Sequence, residues 1–176
     1  GRHKVVVDLI ITSPPYDKER SYEGFSFDFR KTADLLCPLL KIGGVLVWIV
    51  GDTIKGSKKG GRCDPFRQVL YFVDHCGLQL HDTIIWKKSG FHKPANPSMN
   101  CYHRQFEYMF ILSNKFPTTF NPIMDRKNKT YTNGITQMVV GKVEKDGRRF
   151  ARYGTMSLGK RTNVWEIAGG DRGTGS

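Results

Sequence analysis

A short segment near the N-terminus, Ser13-Pro14-Pro15-Tyr16, combines residue types that suit the binding of a planar amino group. A proline keeps its carbonyl oxygen but has no N–H, so two consecutive prolines present acceptors on a stiff backbone. The Ser13 hydroxyl adds another acceptor, and the Tyr16 ring offers a flat face on which a heterocycle can stack. We therefore expect a clamp for an amino-bearing base swung out of its helix. The alternative is a structural turn that caps a strand.

The histidines and cysteines do not favour a metal site or a disulfide framework. The four cysteines include no Cys-x-x-Cys pair, and the five histidines show no metal-ligand spacing. We expect reduced thiols in an intracellular protein, and no metal. Residues 56–64, "GSKKGGRCD", lack the Gly-Lys-Ser/Thr ending of a P-loop, so a basic loop that touches the DNA backbone is the preferred interpretation.

The apolar pattern predicts strands that alternate with helices. Apolar runs predict four strands, at residues 5–11, 45–50, 78–86 and 106–112. The first is rich in β-branched residues and is expected to be buried on both faces. This alternation of strands and helices is typical of an α/β fold with a parallel sheet and right-handed crossovers.

Two helices are expected between these strands. Helical spacing of apolar residues predicts a helix over residues 27–40, which Pro38 should shorten and "KIGG" (41–44) should end. A second helix is expected to begin at Asp64, as N-cap before Pro65, and to run to about Cys76.

Two of the predicted strands end in residues that suit ligand binding. Ser13–Tyr16 follows the first strand, and Gly51-Asp52-Thr53 follows the second. Ligands of open α/β sheets bind at the carboxyl ends of the strands, so both segments are expected at the binding edge. Glu107, at the entry to the fourth strand, is expected to be buried and paired.

The charge of the chain favours a nucleic-acid partner. The 176 residues carry 28 Lys and Arg against 16 acidic residues, a net charge of +12. Residues 115–161 hold eleven of the basic residues and three acidic ones, and they lose the hydrophobic periodicity of the rest. We expect this segment to bind DNA phosphates; the alternative is a solvated basic face. The candidate DNA-binding residues are Arg126, Lys127, Lys129, Lys142, Arg148, Arg149, Arg152, Lys160 and Arg161.

The segment "DLIITSPPYD" (8–17) resembles the catalytic motif of DNA amino-methyltransferases, which methylate N6 of adenine or N4 of cytosine with S-adenosylmethionine. Further segments of the chain resemble other motifs of this family and follow in the same order. The catalytic motif precedes the variable region, which is similar to the β arrangement of these enzymes. The blocks are "LLKIGGVLVWIVGDT", "LHDTIIWKK", "YHRQFEYMFILSN", a basic variable region and "TNVWEIAGG".

The resemblance implies a Rossmann-like methyltransferase α/β fold with a parallel sheet, incomplete, and with a basic irregular target-recognition insertion. It divides the chain into a catalytic core (1–114), a target-recognition region (115–161), and a return segment with a flexible tail (162–176).

The resemblance also implies roles for the four residues of the clamp. The Ser13 hydroxyl and the Pro14 carbonyl would accept hydrogen bonds from the target amino group, so that its lone pair points at the sulfonium methyl. Pro15 would hold the loop, and Tyr16 would stack on the flipped base. Transfer would be a direct displacement in which positioning supplies most of the catalysis.

The end of the chain departs from the family pattern. The family's glycine-rich Phe-x-Gly-x-Gly loop, which supports the cofactor, has no counterpart in "GGDRGTGS" (169–176). We therefore leave the cofactor-binding residues unassigned and expect the chain alone to bind S-adenosylmethionine weakly or not at all. A second hypothesis stays open, in which the chain is a non-catalytic nucleic-acid-binding fragment of the same fold.

The sequence leaves several properties of the enzyme open. Serine at the head of the motif is commoner among cytosine-N4 enzymes, whereas other blocks resemble adenine-specific homologues; cytosine N4 is slightly favoured. The expected partner is double-stranded DNA, in a cytoplasmic protein of prokaryotic or phage type without a membrane segment and in a restriction–modification setting. A homodimer and a separate C-terminal cofactor-binding part also remain open.

Overall fold

The computed structural model describes residues 6–15, 27–52, 63–89, 102, 104–127, 139–140, 151–152 and 158–168. It forms two compact units, residues 1–120 with 163–176, and residues 121–162. The predicted divisions at 114/115 and 161/162 stay a prediction as functional boundaries. The first unit contains β1 (Val7–Thr12), α1 (Phe29–Leu36), a 3-10 turn (Cys37–Leu39), β2 (Leu40–Val50), α2 (Asp64–Asp74), β3 (Gln79–Ser89), β4 (Phe106–Ser113) and β9 (Val164–Ala168). The second contains β5 (Met124–Lys127), β6 (Val139–Val140), β7 (Ala151–Arg152) and β8 (Leu158–Lys160).

The first unit is an α/β structure around a five-stranded sheet of order β1-β2-β4-β3-β9. The predicted α/β class is confirmed, and the predicted parallel pairing holds for β1 with β2 and for β9 with β3. β4 departs from the expectation, because it runs antiparallel between β2 and β3. A run of apolar residues carries no information about strand direction, so the sequence pattern could not show that β4 is antiparallel. The start of β4 consequently lies at the edge where the other four strands end.

Both helices pack on one face of this sheet. Trp48 of β2 is fully buried, and its ring meets the rings of Phe29 of α1 and Phe72 of α2 at centroid distances of 5.8 and 5.0 Å. The Trp48 indole N–H donates to Gln68 Oε1 at 2.8 Å, which satisfies the one polar atom of this ring. The aromatic cluster fixes α1 and α2 against β2, the strand next to the predicted clamp.

α1 is shorter than predicted, and its end differs from the expectation. Asp28 caps the helix by accepting from the Lys31 N–H at 3.1 Å, and the α-helix ends at Leu36. Pro38 lies in the 3-10 turn that follows, as expected of a residue that cannot donate within a helix. The prediction that "KIGG" ends the helix is wrong, because these residues belong to β2.

α2 begins within one residue of the prediction. Pro65 lies in the first turn, but the N-cap is Cys63, at φ 59°, rather than Asp64. The helix ends at Asp74, and Gly77 follows at φ +72°, a conformation that suits glycine.

β1 is not buried on both faces, so that prediction is wrong. It is an edge strand of the described sheet, and it has a single strand neighbour, β2. Leu9 and Ile11 are 54% and 63% exposed, whereas Ile10 packs against the core. None of the helices in the described segments is long and apolar enough to cross a membrane.

Candidate active site

The predicted clamp begins where β1 ends. Ser13, Pro14 and Pro15 follow Thr12 directly, and the parallel register sets Thr12 beside Trp48 of β2. Pro14 is buried, whereas Ser13 and Pro15 are exposed. A buried proline between two exposed residues anchors the segment and leaves the Ser13 hydroxyl open to a ligand. Tyr16 lies outside the described residues.

Asp52, two residues beyond the end of β2, lies at the same edge of the sheet. The Arg104 guanidinium donates to the Asp52 main-chain carbonyl, and its Nη2 lies 3.5 Å from Oδ2 of the carboxylate. The other oxygen, Oδ1, is buried and has no hydrogen-bond partner within the described part of the chain. A buried acceptor without a partner is costly, so it marks a place where a ligand group or water is expected.

The sequence placed Asp52 at the binding edge but gave it no role, and Arg104 was missed. The signal for Asp52 was the polar "GDT" directly after an apolar strand. Arg104 gave no such signal, because it reaches this edge only through the antiparallel direction of β4.

A second ion pair lies at the same edge, between β3 and β4. Glu107 is 8% exposed, and its carboxylate accepts from the Lys88 ammonium, so the expectation that Glu107 is buried and paired is confirmed. Lys87 pairs with Glu166 of β9 at 3.2 Å, on the surface. These two ion pairs connect β3 to β4 and to β9 at this edge of the sheet.

Aromatic side chains lie at the same edge, on the face of the sheet that the helices cover. The Tyr108 ring meets Phe66 of α2 and Phe106 of β4 at 5.3 Å each, in edge-to-face contacts. Phe66 and Phe106 remain 46% and 44% exposed. Their exposed rings give this edge a surface on which planar groups can pack.

A cavity of about 270 Å³ at the opposite end of the sheet contains thiols, but these are poor nucleophiles. It is lined by Asp34, Cys37, Pro38, His75, Cys76, Leu78 and Asn114. Burial, with the neighbouring Cys76 thiol, raises the pKa of Cys37 strongly, and burial raises the pKa of Cys76. Both thiols therefore stay protonated at neutral pH. The described residues include no group of three or more His, Cys, Asp or Glu side chains that could hold a metal ion.

Three of the predicted DNA-binding residues, Arg126, Lys127 and Lys160, lie on the β5–β8 pair of the second unit, and Arg161 directly follows β8. Lys127 and Lys160 are exposed, the Arg126 Nε donates to the Lys160 carbonyl at 3.2 Å, and the Arg161 Nη2 lies 2.5 Å from the Asp125 carboxylate. Arg161 is therefore partly neutralised within the unit. Arg152 belongs to β7, and Lys129, Lys142, Arg148 and Arg149 lie outside the described residues.

Comparison with known proteins gives matches along nearly the whole chain. A family model described as DNA methylase, for N6 and N4 methyltransferases, matches residues 7–174. The orphan methyltransferase M.BamHII of Bacillus amyloliquefaciens is 44% identical over 168 residues. That match covers 93% of this chain and 60% of M.BamHII, so the chain spans less than two thirds of its relative.

A solved structure, that of PvuII DNA methyltransferase (cytosine-N4-specific), has the same fold. It superposes with a TM-score of 0.56 at 14% identity, and the match covers 96% of this chain and 52% of the PvuII chain. At this identity the likeness concerns the fold, which is that of a Rossmann-like methyltransferase.

Proposed function

We propose that this chain, which belongs to the DNA methylase family of N6 and N4 amino-methyltransferases, provides the catalytic and target-recognition part of a site-specific DNA methyltransferase. Its membership of this family confirms the resemblance seen in its motifs. The reaction would transfer a methyl group from S-adenosylmethionine to an exocyclic amino group of a flipped base in double-stranded DNA. The observation that carries the proposal is the anchored Ser13-Pro14-Pro15 segment at the end of β1, at the same edge of the sheet as Asp52.

The clamp would bind the amino group through two acceptors. The exposed Ser13 hydroxyl and the carbonyl of the buried Pro14 would accept the two N–H bonds, which turns the nitrogen lone pair out of the plane of the base. S-adenosylmethionine, when bound, supplies an electrophilic methyl group on a sulfonium. The N–C bond would form as the S–C bond breaks, and holding the nitrogen in line is the task of the clamp. Tyr16 would stack on the flipped base.

Asp52 would accept the proton that the methylated nitrogen must lose. Its Oδ1 is a buried acceptor without a partner among the described residues, which suits a positively polarised group at this edge, either the amino N–H or the cationic methyl donor. Arg104 is a positioning residue, because it holds the main chain and the other carboxylate oxygen of Asp52. The residues that hold the cofactor's methionine portion remain unassigned.

The second unit would bind the DNA backbone. Lys127 and Lys160 are exposed on neighbouring strands, and the segment around them is strongly basic. Phosphate contacts from such residues position a protein on DNA without reading its sequence.

The test is mass analysis of nucleosides from DNA treated with the complete enzyme and S-adenosylmethionine. We expect a deoxynucleoside methylated on its amino group, and the serine of the clamp favours N4-methyl-2′-deoxycytidine over N6-methyl-2′-deoxyadenosine. N6-methyl-2′-deoxyadenosine alone would correct the base and leave the mechanism standing. Unmodified DNA, with DNA binding intact, would favour the non-catalytic alternative.

A further inference from the structure

The strands β5 and β8 of the second unit form an antiparallel ribbon whose register is irregular at one point. Met124 lies across from Lys160, and Arg126 lies across from the next residue of β8, Gly159. Asp125 is therefore the extra residue of a β-bulge on β5. A bulge bends its strand and re-aims the neighbouring side chains, and bulges are over-represented next to active sites. The side chains around Asp125 are thus candidates for contact with a ligand.

One of these candidates, Arg161, is bound within the ribbon itself. Its guanidinium Nε donates to the Asp125 carboxylate at 2.7 Å, and its main-chain N–H donates to the Ile123 carbonyl at 2.8 Å. Both contacts join the strand β5 to the end of β8 beside the bulge. Because Asp125 and Arg161 neutralise each other, neither is the first choice for a contact with DNA.

Arg126 is held in a different way. Its side chain is exposed, and its Nε donates to the Lys160 carbonyl at 3.2 Å. This hydrogen bond restricts the plane of the guanidinium, while the two terminal nitrogens have no partner within the described part of the chain. Gly159, across the ladder, has no side chain that could occupy the space beside the guanidinium. Arg126 therefore presents a planar, charged pair of donors in a restricted orientation.

We propose that Arg126 reads a guanine in the major groove of DNA, with its two terminal nitrogens donating to guanine O6 and N7. The inference rests on the proposed function, because it gives the DNA-binding unit a base-reading residue. A pre-oriented planar fork matches this pair of acceptors. The major groove, about 12 Å wide, also admits a two-stranded ribbon, whereas the minor groove is only about 6 Å wide. The amino groups that the proposed reaction methylates lie in the major groove as well.

A phosphate contact is the alternative role for Arg126. Phosphate oxygens accept from many directions, and a flexible lysine such as the exposed Lys127 binds them as a point charge. A base edge instead presents its acceptors in one plane, so its recognition gains from a donor of fixed orientation. The hydrogen bond that restricts Arg126 therefore favours a base for this residue and phosphates for Lys127.

The first experiment selects tight binders of the full chain from a pool of randomised DNA duplexes and sequences them. We expect a preferred site that contains a guanine, and Arg126→Ala should remove the preference at that position while the other positions keep theirs. Arg126→Gln should shift this position towards adenine, whose N6 and N7 match an amide. The matched control is Lys127→Ala, which should weaken binding to all duplexes about equally and leave the preferred site unchanged.

A second measurement compares the preferred duplex with one that carries 7-deazaguanine at this position and so lacks the N7 acceptor. We expect the unmodified chain to bind the analogue about fivefold less tightly, and Arg126→Ala to bind the two duplexes equally. Hydrogen exchange of the β5 and β8 amides should be the same in both proteins, which shows that the ribbon is retained.

Several results would overturn the assignment of Arg126. Equal weakening on all duplexes in Arg126→Ala would indicate a phosphate contact, and loss of preference at every position would indicate a structural role in the ribbon. A preference for A·T runs that depends on Arg126 would indicate the minor groove. Absence of any sequence preference in the unmodified chain, or of DNA binding, would also contradict the proposal.

The outcome for Arg126 is separable from that for the proposed function. A guanine preference that depends on Arg126, without methyl transfer by the complete enzyme, would refute the proposed function and leave the base-reading role standing. Methyl transfer by the complete enzyme at a site that Arg126→Ala does not alter would overturn the base-reading role alone.

Discussion

Arg104 donates a hydrogen bond to the main-chain carbonyl of Asp52 and approaches one of its carboxylate oxygens, while the other, Oδ1, is buried without a partner among the described residues. The arrangement holds a carboxylate in place at the carboxyl end of β2 without satisfying it fully. Two adjacent strand ends, those of β1 and β2, thus present an exposed hydroxyl and an unsatisfied carboxylate oxygen.

Asp52→Asn should lower the single-turnover rate of methyl transfer in the complete enzyme by about 10²-fold, because the amide cannot take a proton. The free energy of unfolding should change by about 1 kcal/mol or less, since the variant removes a buried charge that lacked a full set of partners. Rapid-quench kinetics and urea unfolding measure the two effects. A large loss of stability with an unchanged rate would assign Asp52 a structural role.

Ser13→Ala should lower the same rate by about 10²-fold while DNA affinity changes less than twofold, since the hydroxyl is proposed to act on the amino group alone. Ser89→Ala is the matched control, because Ser89 ends the neighbouring strand β3, and its rate should match that of the unmodified enzyme. An unchanged rate for Ser13→Ala would remove the role given to the clamp.

DNA binding should weaken with salt. If about six phosphates are neutralised, the logarithm of affinity should fall with log salt at a slope of about −5, and Lys127→Ala should reduce that slope by about 1. Lys41→Ala is the control, because Lys41 pairs with Asp8 in the first unit. Fluorescence anisotropy between about 50 and 200 mM salt gives the slopes. Affinity that does not respond to salt contradicts the electrostatic interface.

Gln68→Met should destabilise the protein by about 1–3 kcal/mol in urea unfolding, because it leaves the buried Trp48 N–H without an acceptor. Gln79→Met, at an exposed position of β3, is the matched control and should have little effect. In a Trp48→Phe background the cost of Gln68→Met should shrink, and an equal cost there would show that the hydrogen bond is not its source.

Stability should also fall at high pH through Cys37. Burial raises the pKa of its thiol above the ordinary value of 9.0, so the folded state keeps a proton that the unfolded chain loses. The contribution is fully present below pH 9 and declines as the pH rises further. Urea unfolding between about pH 8 and 10.5 should show a steeper decline for the unmodified protein than for Cys37→Ala. Parallel curves would rule out a contribution from this thiol.

Local chemistry made several features predictable. Pro38, Pro65 and the apolar runs gave the approximate positions of β1 to β4 and of the two helices, because prolines and hydrophobic periods act over a few positions, whereas β5 to β9 were not predicted. Three features depend on distant parts of the chain and were not predictable. The exposure of Leu9 depends on whether a neighbour covers it, the direction of β4 depends on its pairing partners, and the contact of Arg104 with Asp52 follows from that direction.

The return of the chain to the sheet after the second unit has an evolutionary consequence. Asn163 donates its side-chain N–H to the Thr83 carbonyl at 3.2 Å across 80 residues of sequence, and its own carbonyl accepts from the Ile85 N–H at 2.8 Å. These two hydrogen bonds join the start of β9 to β3 between residues of the first unit. Because doubling the length of a flexible closed segment costs only about 0.6 kcal/mol, descendants could exchange residues 121–162 for a unit of another length while keeping the sheet. Under the proposed function, such an exchange would change how the protein contacts DNA while keeping the sheet that carries Ser13 and Asp52.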